Sequence, residues 1–219
     1  MTLKYRYKEP TKTIESEKPP LLLLLHGIGA DENDLFGLAP FLDERFFIAS
    51  VRAPFTLPYG GFAWFELLLE PGKIGFNAKQ FEQSRQMILE FIDEIVAEHD
   101  LDAKRVYLCG FSQGSMMSLS AMLSAPEKFA GVVAMSGRAM SEMLPETKDS
   151  DAFKNFPVFV THGIYDPVLP IENGRATKEI LSRLPVDLEY KEYEMAHQIS
   201  QESLNDVSNW LISELESKL

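Results

Sequence analysis

The amino-acid sequence predicts an α/β fold: a mostly parallel sheet of about seven to eight strands with helices on both faces. Three observations carry this. Residues 21–25 and 46–51 are apolar without alternation, as strands covered on both faces of a parallel sheet must be. Strand-like and helix-like segments alternate along nearly the whole chain, an order that implies right-handed crossovers. At residues 106–119 an apolar strand runs through Gly110-Phe111-Ser112-Gln113-Gly114 directly into a helix-compatible stretch. With 219 residues, 45% hydrophobic and 25% charged, the chain can bury one large core. We therefore expect a single domain over residues 1–219 with no separate cap domain.

The elements follow in order. Residues 3–8 alternate apolar and basic as a half-exposed strand, and a second short strand is expected at 11–15 beyond Pro10. Residues 31–42 begin with acidic side chains and continue with apolar ones at helical spacing, which predicts a helix. From 77 to 99, Phe81, Ile88, Phe91, Ile92, Ile95 and Val96 mark the core stripe of a long amphipathic helix. Strands are predicted at 105–109, 131–135, 157–161 and 186–193, and helices at 171–184 and 201–219. Two stretches take no assignment, the Pro-, Gly- and aromatic-rich 52–76 and the polar 137–156; loops of that length in a compact domain are usually functional or mobile.

Charge and cysteine usage exclude several classes. A formal net charge of −12 repels nucleic-acid phosphates and anionic head groups. No nucleic-acid partner is expected. The run Leu21–Leu25 is too short to span a bilayer, and the first eight residues lack the continuous apolar segment of a secretory signal. No stable membrane insertion is expected, and the default is a cytoplasmic protein. The single cysteine, Cys109, forms no internal disulfide and reads as a small buried hydrophobe.

The chemistry starts at Ser112. A serine at the apex of a strand-to-helix turn needs glycine two positions before and after it, because side chains there would collide with the turn. Its hydroxyl needs a base to take the proton, and the base needs a third group to fix its tautomer. After Ser112 only two histidines remain, His162 and His197. On this topology the order is serine, acid, histidine, each at the carboxyl end of a strand, and only Asp166 with His197 keeps that order from two separate strand ends. His162 is read as a brace for the loop bearing Asp166, and His99 as a residue favouring the dipole at a helix end. A tetrahedral intermediate also needs two backbone N–H donors. Gln113 supplies one by position, and the glycine-flanked Ile28 after residues 21–25 is the candidate for the other.

These residues are similar to a known family. Through Leu25-His26-Gly27-Ile28-Gly29-Ala30-Asp31, the Ser112 pentapeptide, His162-Gly163-Ile164-Tyr165-Asp166-Pro167-Val168-Leu169-Pro170 and Met195-Ala196-His197, the chain resembles the carboxylesterase, phospholipase and acyl-protein thioesterase family of small α/β-hydrolases. The resemblance implies the α/β-hydrolase fold, Ser112, Asp166 and His197 as the catalytic triad, and the Ile28 and Gln113 amides as the oxyanion hole. It implies no metal and no organic cofactor. One departure stands out: the family has glycine before the base and this chain has Ala196, which would strain the loop if that position needed a positive φ.

The aromatic stretch 52–76 is expected to border the acyl site, with Trp64, Phe65 and Leu67 as substrate-binding residues, since loops at the carboxyl ends of strands surround the nucleophile. Arg52 either meets an anionic substrate group or forms a structural ion pair. The expected function is a serine esterase hydrolysing carboxylic esters of short to medium acyl chains through an acyl-enzyme. The alternatives are a thioesterase or lysophospholipase for longer acyl groups and, in another class, a non-catalytic binding protein on the same scaffold. The expected partner is a small-molecule ester, with a homodimer left open.

Overall fold

A computed structural model describes residues 2–14, 17–70, 73–140 and 150–218. The strands are β1 (Tyr5–Lys8), β2 (Leu21–Leu25), β3 (Phe47–Val51), β4 (Phe55–Thr56), β5 (Phe62–Ala63), β6 (Leu67–Glu70), β7 (Lys73–Phe76), β8 (Val106–Phe111), β9 (Gly131–Met135), β10 (Pro157–Gly163) and β11 (Asp187–Tyr193). The helices are α1 (Ala78–Glu98), α2 (Gln113–Ser124), α3 (Ile171–Leu181) and α4 (Gln201–Glu216). Seven strands form one sheet in the order β1-β3-β2-β8-β9-β10-β11, parallel throughout except for the antiparallel edge strand β1. This is the predicted α/β architecture.

The absence of alternation in β2 has a direct structural meaning. Leu21, Leu23 and Leu25 enter the core beneath α1, α2 and α3, while Leu22 and Leu24 enter the opposite core beneath α4, and all five side chains are wholly buried. At about 1.5–3 kcal/mol per buried leucine side chain, such a strand is held at the centre of the sheet and nowhere else. The amphipathic stripe of α1 packs Phe81, Ile88, Phe91, Ile92 and Ile95 inward, and Asn77 caps its start by accepting the Gln80 amide at 3.2 Å. In α4 Leu204, Val207, Leu211 and Leu215 take the same role on the other face, behind a Ser200 cap.

Two expectations need correction. Residues 31–42 do not form an α-helix; a 3-10 helix covers Leu35–Phe41, preceded by turns in which the Asp34 and Gly37 amides donate to Asp31 and Asp34 carbonyls three residues back. Pro40 has no amide to offer and its ring obstructs the carbonyl four residues earlier, and Gly37 lowers helix propensity further. No strand occurs at 11–14; the Thr11 and Lys12 amides both donate to the Glu44 carbonyl instead, and Glu15 lies outside the described residues. The unassigned stretch 52–76 holds two small hairpins, β4–β5 and β6–β7. In the other, 137–156, a 3-10 turn covers Ser150–Phe153 and residues 141–149 lie outside the described residues. No described helix is long and apolar enough to cross a membrane.

Candidate active site

β8 ends in the tight turn that the glycine spacing predicts. A Cβ on Gly110 would lie 2.2 Å from the Gly114 carbonyl oxygen, and one on Gly114 would lie 1.8 Å from the Leu25 carbonyl oxygen. Any side chain at either place would drive α2 off the sheet. Ser112 at the apex has φ 54° and ψ −116°, a region L-residues rarely occupy, and its amide is tied to the Met135 carbonyl at 2.9 Å. Its hydroxyl is thereby presented at the carboxyl ends of β8 and β9.

Asp166 and His197 reach this hydroxyl from the loops after β10 and β11. His197 Nε2 lies 3.0 Å from Ser112 Oγ, and His197 Nδ1 lies 2.6 Å from Asp166 Oδ2. A carboxylate accepts and does not donate, so it selects the tautomer protonated on Nδ1 and leaves Nε2 free to accept the serine proton. The second carboxylate oxygen, Oδ1, accepts the amides of Val168 and Leu169, both at 2.8 Å, which orients the acid. Asp166 is buried and His197 sits half-buried with its ring 4.9 Å from that of Phe111.

His162 lies beneath this loop. It is wholly buried, its Nε2 donates to the Leu169 carbonyl at 2.7 Å, and it stands 3.7 Å from Asp166 Oδ2 without reaching Ser112. Ala196 is absent from the described non-glycine residues with positive φ, which are Asp100, Ser112, Ser136 and Asn155. The alanine before His197 is therefore accommodated without left-handed strain.

On the other side of Ser112 runs the loop after β2. A Cβ on Gly27 would come 3.3 Å from Ser112 Cβ, so this loop abuts the serine directly. The Gly29 amide donates to Phe62 and the Ala30 amide to Gly27, while the Ile28 amide donates to no described backbone acceptor. Gln113, the first residue of α2, likewise has an amide outside the helical ladder. His26 is pinned beneath them: Nδ1 donates to the Gly27 carbonyl at 2.7 Å, and Nε2 accepts the Ala53 amide at 3.0 Å. Burial pushes the His26 imidazole below its ordinary value, which keeps it neutral in this tautomer.

Residues 10–214 match the model of the family described as phospholipase/carboxylesterase. The chain belongs to that family. Membership makes it a hydrolase with the α/β-hydrolase fold. Acyl-protein thioesterase 1 of Candida albicans is 30% identical over 212 residues, covering 87% of this chain and 90% of that protein. Acyl-protein thioesterase 1 of Debaryomyces hansenii is 31% identical over 134 residues, a match spanning 60% of this chain and only 57% of that relative. A solved carboxylesterase of Bacillus cereus superposes with a TM-score of 0.80 over 97% of this chain and 94% of its own at 23% identity, which shows the shared fold.

Within this phospholipase/carboxylesterase chain the three residues expected to bind substrate divide. Trp64 and Phe65 are wholly buried and offer no surface to a ligand in this conformation, whereas Leu67 is 38% exposed. Arg52 resolves as a structural ion pair: Nε and Nη2 grip the two oxygens of buried Glu32 at 2.5 and 2.7 Å, and its guanidinium lies 4.2 Å over the Phe62 ring. Sequence reasoning missed His26, the Gln113 side chain and Ser84. The Gln113 carboxamide accepts the Trp64 amide at 2.9 Å and donates to the Phe65 carbonyl at 2.7 Å. A glutamine in the first turn of a helix carries no local mark of such a role. A histidine next to a glycine-rich turn is the one signal that could have pointed to His26.

Proposed function

We propose that this hydrolase is a serine esterase acting on carboxylic esters of short to medium acyl chains, with Ser112 as nucleophile, His197 as base and Asp166 as its orienting acid. The observation that carries the reading is the unbroken line from Asp166 through His197 to Ser112, at 2.6 and 3.0 Å. Ser112 Oγ attacks the ester carbonyl carbon and its proton passes to His197 Nε2, while Asp166 stabilises the resulting imidazolium. The carbonyl electrons move onto oxygen, where the Ile28 and Gln113 amides stabilise the charge. Collapse expels the alcohol, which takes the proton from His197 and leaves an acyl-serine. Water, deprotonated by the same histidine, then releases the acid and restores Ser112. Every group comes from one copy of the chain, and the proposal puts the reaction in the cytoplasm.

Acyl-length preference follows from the exposed apolar surface. Leu67 and Leu68 on β6 and Ile164 and Val168 after β10 are exposed apolar side chains, and a few such residues suit a short chain. Each acyl methylene gains about 0.8 kcal/mol only while it is buried, so activity should rise and then fall with length. The second reading, a thioesterase or lysophospholipase for longer acyl groups, is favoured by the 30% identity to acyl-protein thioesterase 1 of Candida albicans across 90% of that protein.

The test has two parts. A fluorophosphonate should label Ser112 stoichiometrically, and labelling elsewhere or not at all in folded protein would favour a non-catalytic binding protein. A kcat/KM survey over esters and thioesters should peak between butyryl and octanoyl esters and decline at palmitoyl. A maximum at long-chain thioesters or lysophospholipids, below their micelle-forming concentrations, would replace the first reading by the second.

A further inference from the structure

The two amides assigned to the oxyanion lie on different segments, one after β2 and one at the start of α2. Their relative position decides whether both can reach one oxygen. Donors must sit about 2.7–3.1 Å from the place the oxyanion will occupy, and a small misplacement forfeits much of their effect. Something must therefore hold the two segments in register.

The segment 61–65 does so, and Trp64 is its centre. Its indole Nε1–H donates to the His26 carbonyl at 2.9 Å, one residue before the Gly27-Ile28 turn. Its backbone amide donates to the Gln113 side chain at 2.9 Å, and that side chain donates in turn to the Phe65 carbonyl at 2.7 Å. Its carbonyl accepts the Ser84 hydroxyl at 2.5 Å, anchoring it to α1. Next to it, Phe62 exchanges bonds with the Gly29 amide at 2.8 Å and the Ala30 carbonyl at 3.0 Å. Gly61 comes so close that a Cβ there would lie 1.9 Å from the Gly29 carbonyl oxygen. Trp64 itself is wholly buried.

We propose that Trp64, with the Gln113 side chain, is a positioning device that couples the two oxyanion donors, so that this buried tryptophan serves transition-state stabilisation without touching substrate. Gln113 then has two parts in it: its main-chain amide donates to the oxyanion, and its carboxamide fixes that amide against the segment holding Ile28. The inference rests on the proposed esterase chemistry and deepens it.

Two variants test it. Trp64→Phe keeps an aromatic ring and removes the N–H to His26. Gln113→Glu keeps the main-chain donor and the acceptor for the Trp64 amide, and removes the donor to Phe65. The probe is an alkyl trifluoromethyl ketone, to which Ser112 Oγ adds while its proton passes to His197 and the ketone oxygen becomes the oxyanion. For Trp64→Phe we expect kcat to fall about 10- to 50-fold with KM within about twofold, and ketone affinity to fall by the same factor as kcat. The pH profile of kcat/KM should keep its shape. For Gln113→Glu the activity relative to wild type should climb towards one as pH is lowered, since a protonated carboxyl regains the donor to Phe65.

Unchanged kcat and ketone affinity in folded Trp64→Phe would overturn the proposal, as would a loss of kcat with ketone binding intact. Should Trp64→Phe not fold, Gln113→Glu with native near-ultraviolet circular dichroism decides, and a pH-independent ratio to wild type counts against the coupling. Ser112→Ala separates the two levels: if it retained activity the esterase reading would fall, whereas an inactive Ser112→Ala beside wild-type behaviour of the two variants would remove only the role of Trp64.

Discussion

The imidazole of His162 lies against the backbone of Gly174 in α3, so close that a Cβ on the glycine would come 2.7 Å from the ring Cγ and 2.8 Å from Nδ1. The same ring holds the Leu169 carbonyl with Nε2, and the Val168 and Leu169 amides hold Asp166. A helix glycine is thereby linked, through His162 and the 168–169 backbone, to the orientation of the acid that holds His197.

Gly174→Ala should disturb that chain by overpacking. Inserting a methyl group against an immobile buried ring costs about 1–3 kcal/mol, and each kcal/mol shifts Tm by about 2–4 °C in a domain of this size. A fall in Tm of roughly 2–12 °C is expected, with a drop in kcat as the turn at 166–169 moves. Thermal melts and steady-state kinetics check it, and an unchanged Tm would show that His162 yields freely.

Asp166→Asn should leave the fold intact and lower kcat by about 10⁴-fold. The asparagine oxygen keeps the Val168 and Leu169 amides, so its NH₂ faces His197 Nδ1 and makes that nitrogen an acceptor. The proton then sits on Nε2, where the Ser112 hydroxyl needs a lone pair. His197→Ala should cost as much, whereas His162→Ala should act mainly on Tm. Kinetics on the three folded variants check the ranking; a larger kcat loss for His162→Ala would mean the wrong histidine carries the proton.

Ser112→Gly should be more stable than Ser112→Ala. Both lose the hydroxyl, but only glycine relieves a φ of 54°, and alanine at a positive φ is penalised by about 1 kcal/mol or more. Urea midpoints of the two inactive variants make the comparison, and equal midpoints would show that the apex stores no strain.

Glu32 should govern part of the acid limb of stability. Burial alone would raise its carboxyl, but hydrogen bonds from Arg52 above all, with its own backbone and Lys4, pull it from the usual 4.5 down to about 2. The folded value lies below the unfolded one, so the contribution is present above about pH 4.5 and is lost as pH falls towards 2. Glu32→Gln should flatten stability against pH in that window and be less stable at pH 7, where Arg52 and Lys4 lose their partner. Urea midpoints between pH 7 and 2.5 check both, and an identical acid limb in the variant would assign the loss to other carboxylates.

The candidate triad was legible because each piece is written locally. Gly110 and Gly114 flank Ser112 at a spacing dictated by one turn, and Asp166 follows an apolar strand and His197 an alternating one, each beyond its carboxyl end. Ala196 was harder: its neighbour's role could be read, but φ at 196 depends on how Met195 and Ala196 pack over Gly163. The 3-10 turn at 35–41 was misread as α-helix because apolar spacing of three and four is common to both, and the hydrogen bonds alone distinguish them.

By itself the sequence determined the order of elements, the core strands and the candidates for the reacting side chains. Periodicity, glycine spacing and strand ends are properties of a few consecutive residues, and hydrophobic burial acts on them wherever the chain goes. Tertiary structure alone decided which distant groups meet. It brought His197 to Ser112 across 85 positions. It turned Arg52 to Glu32 and sank Trp64 and Phe65 beneath the site where an aromatic loop had suggested a ligand surface. An aromatic side chain in a loop gains the same free energy from a substrate as from the core. Which of the two it covers depends on hydrogen bonds such as those Trp64 donates to His26 and Gln113 and accepts from Ser84, partners that lie 20 to 49 positions from Trp64 and leave no pattern along the chain.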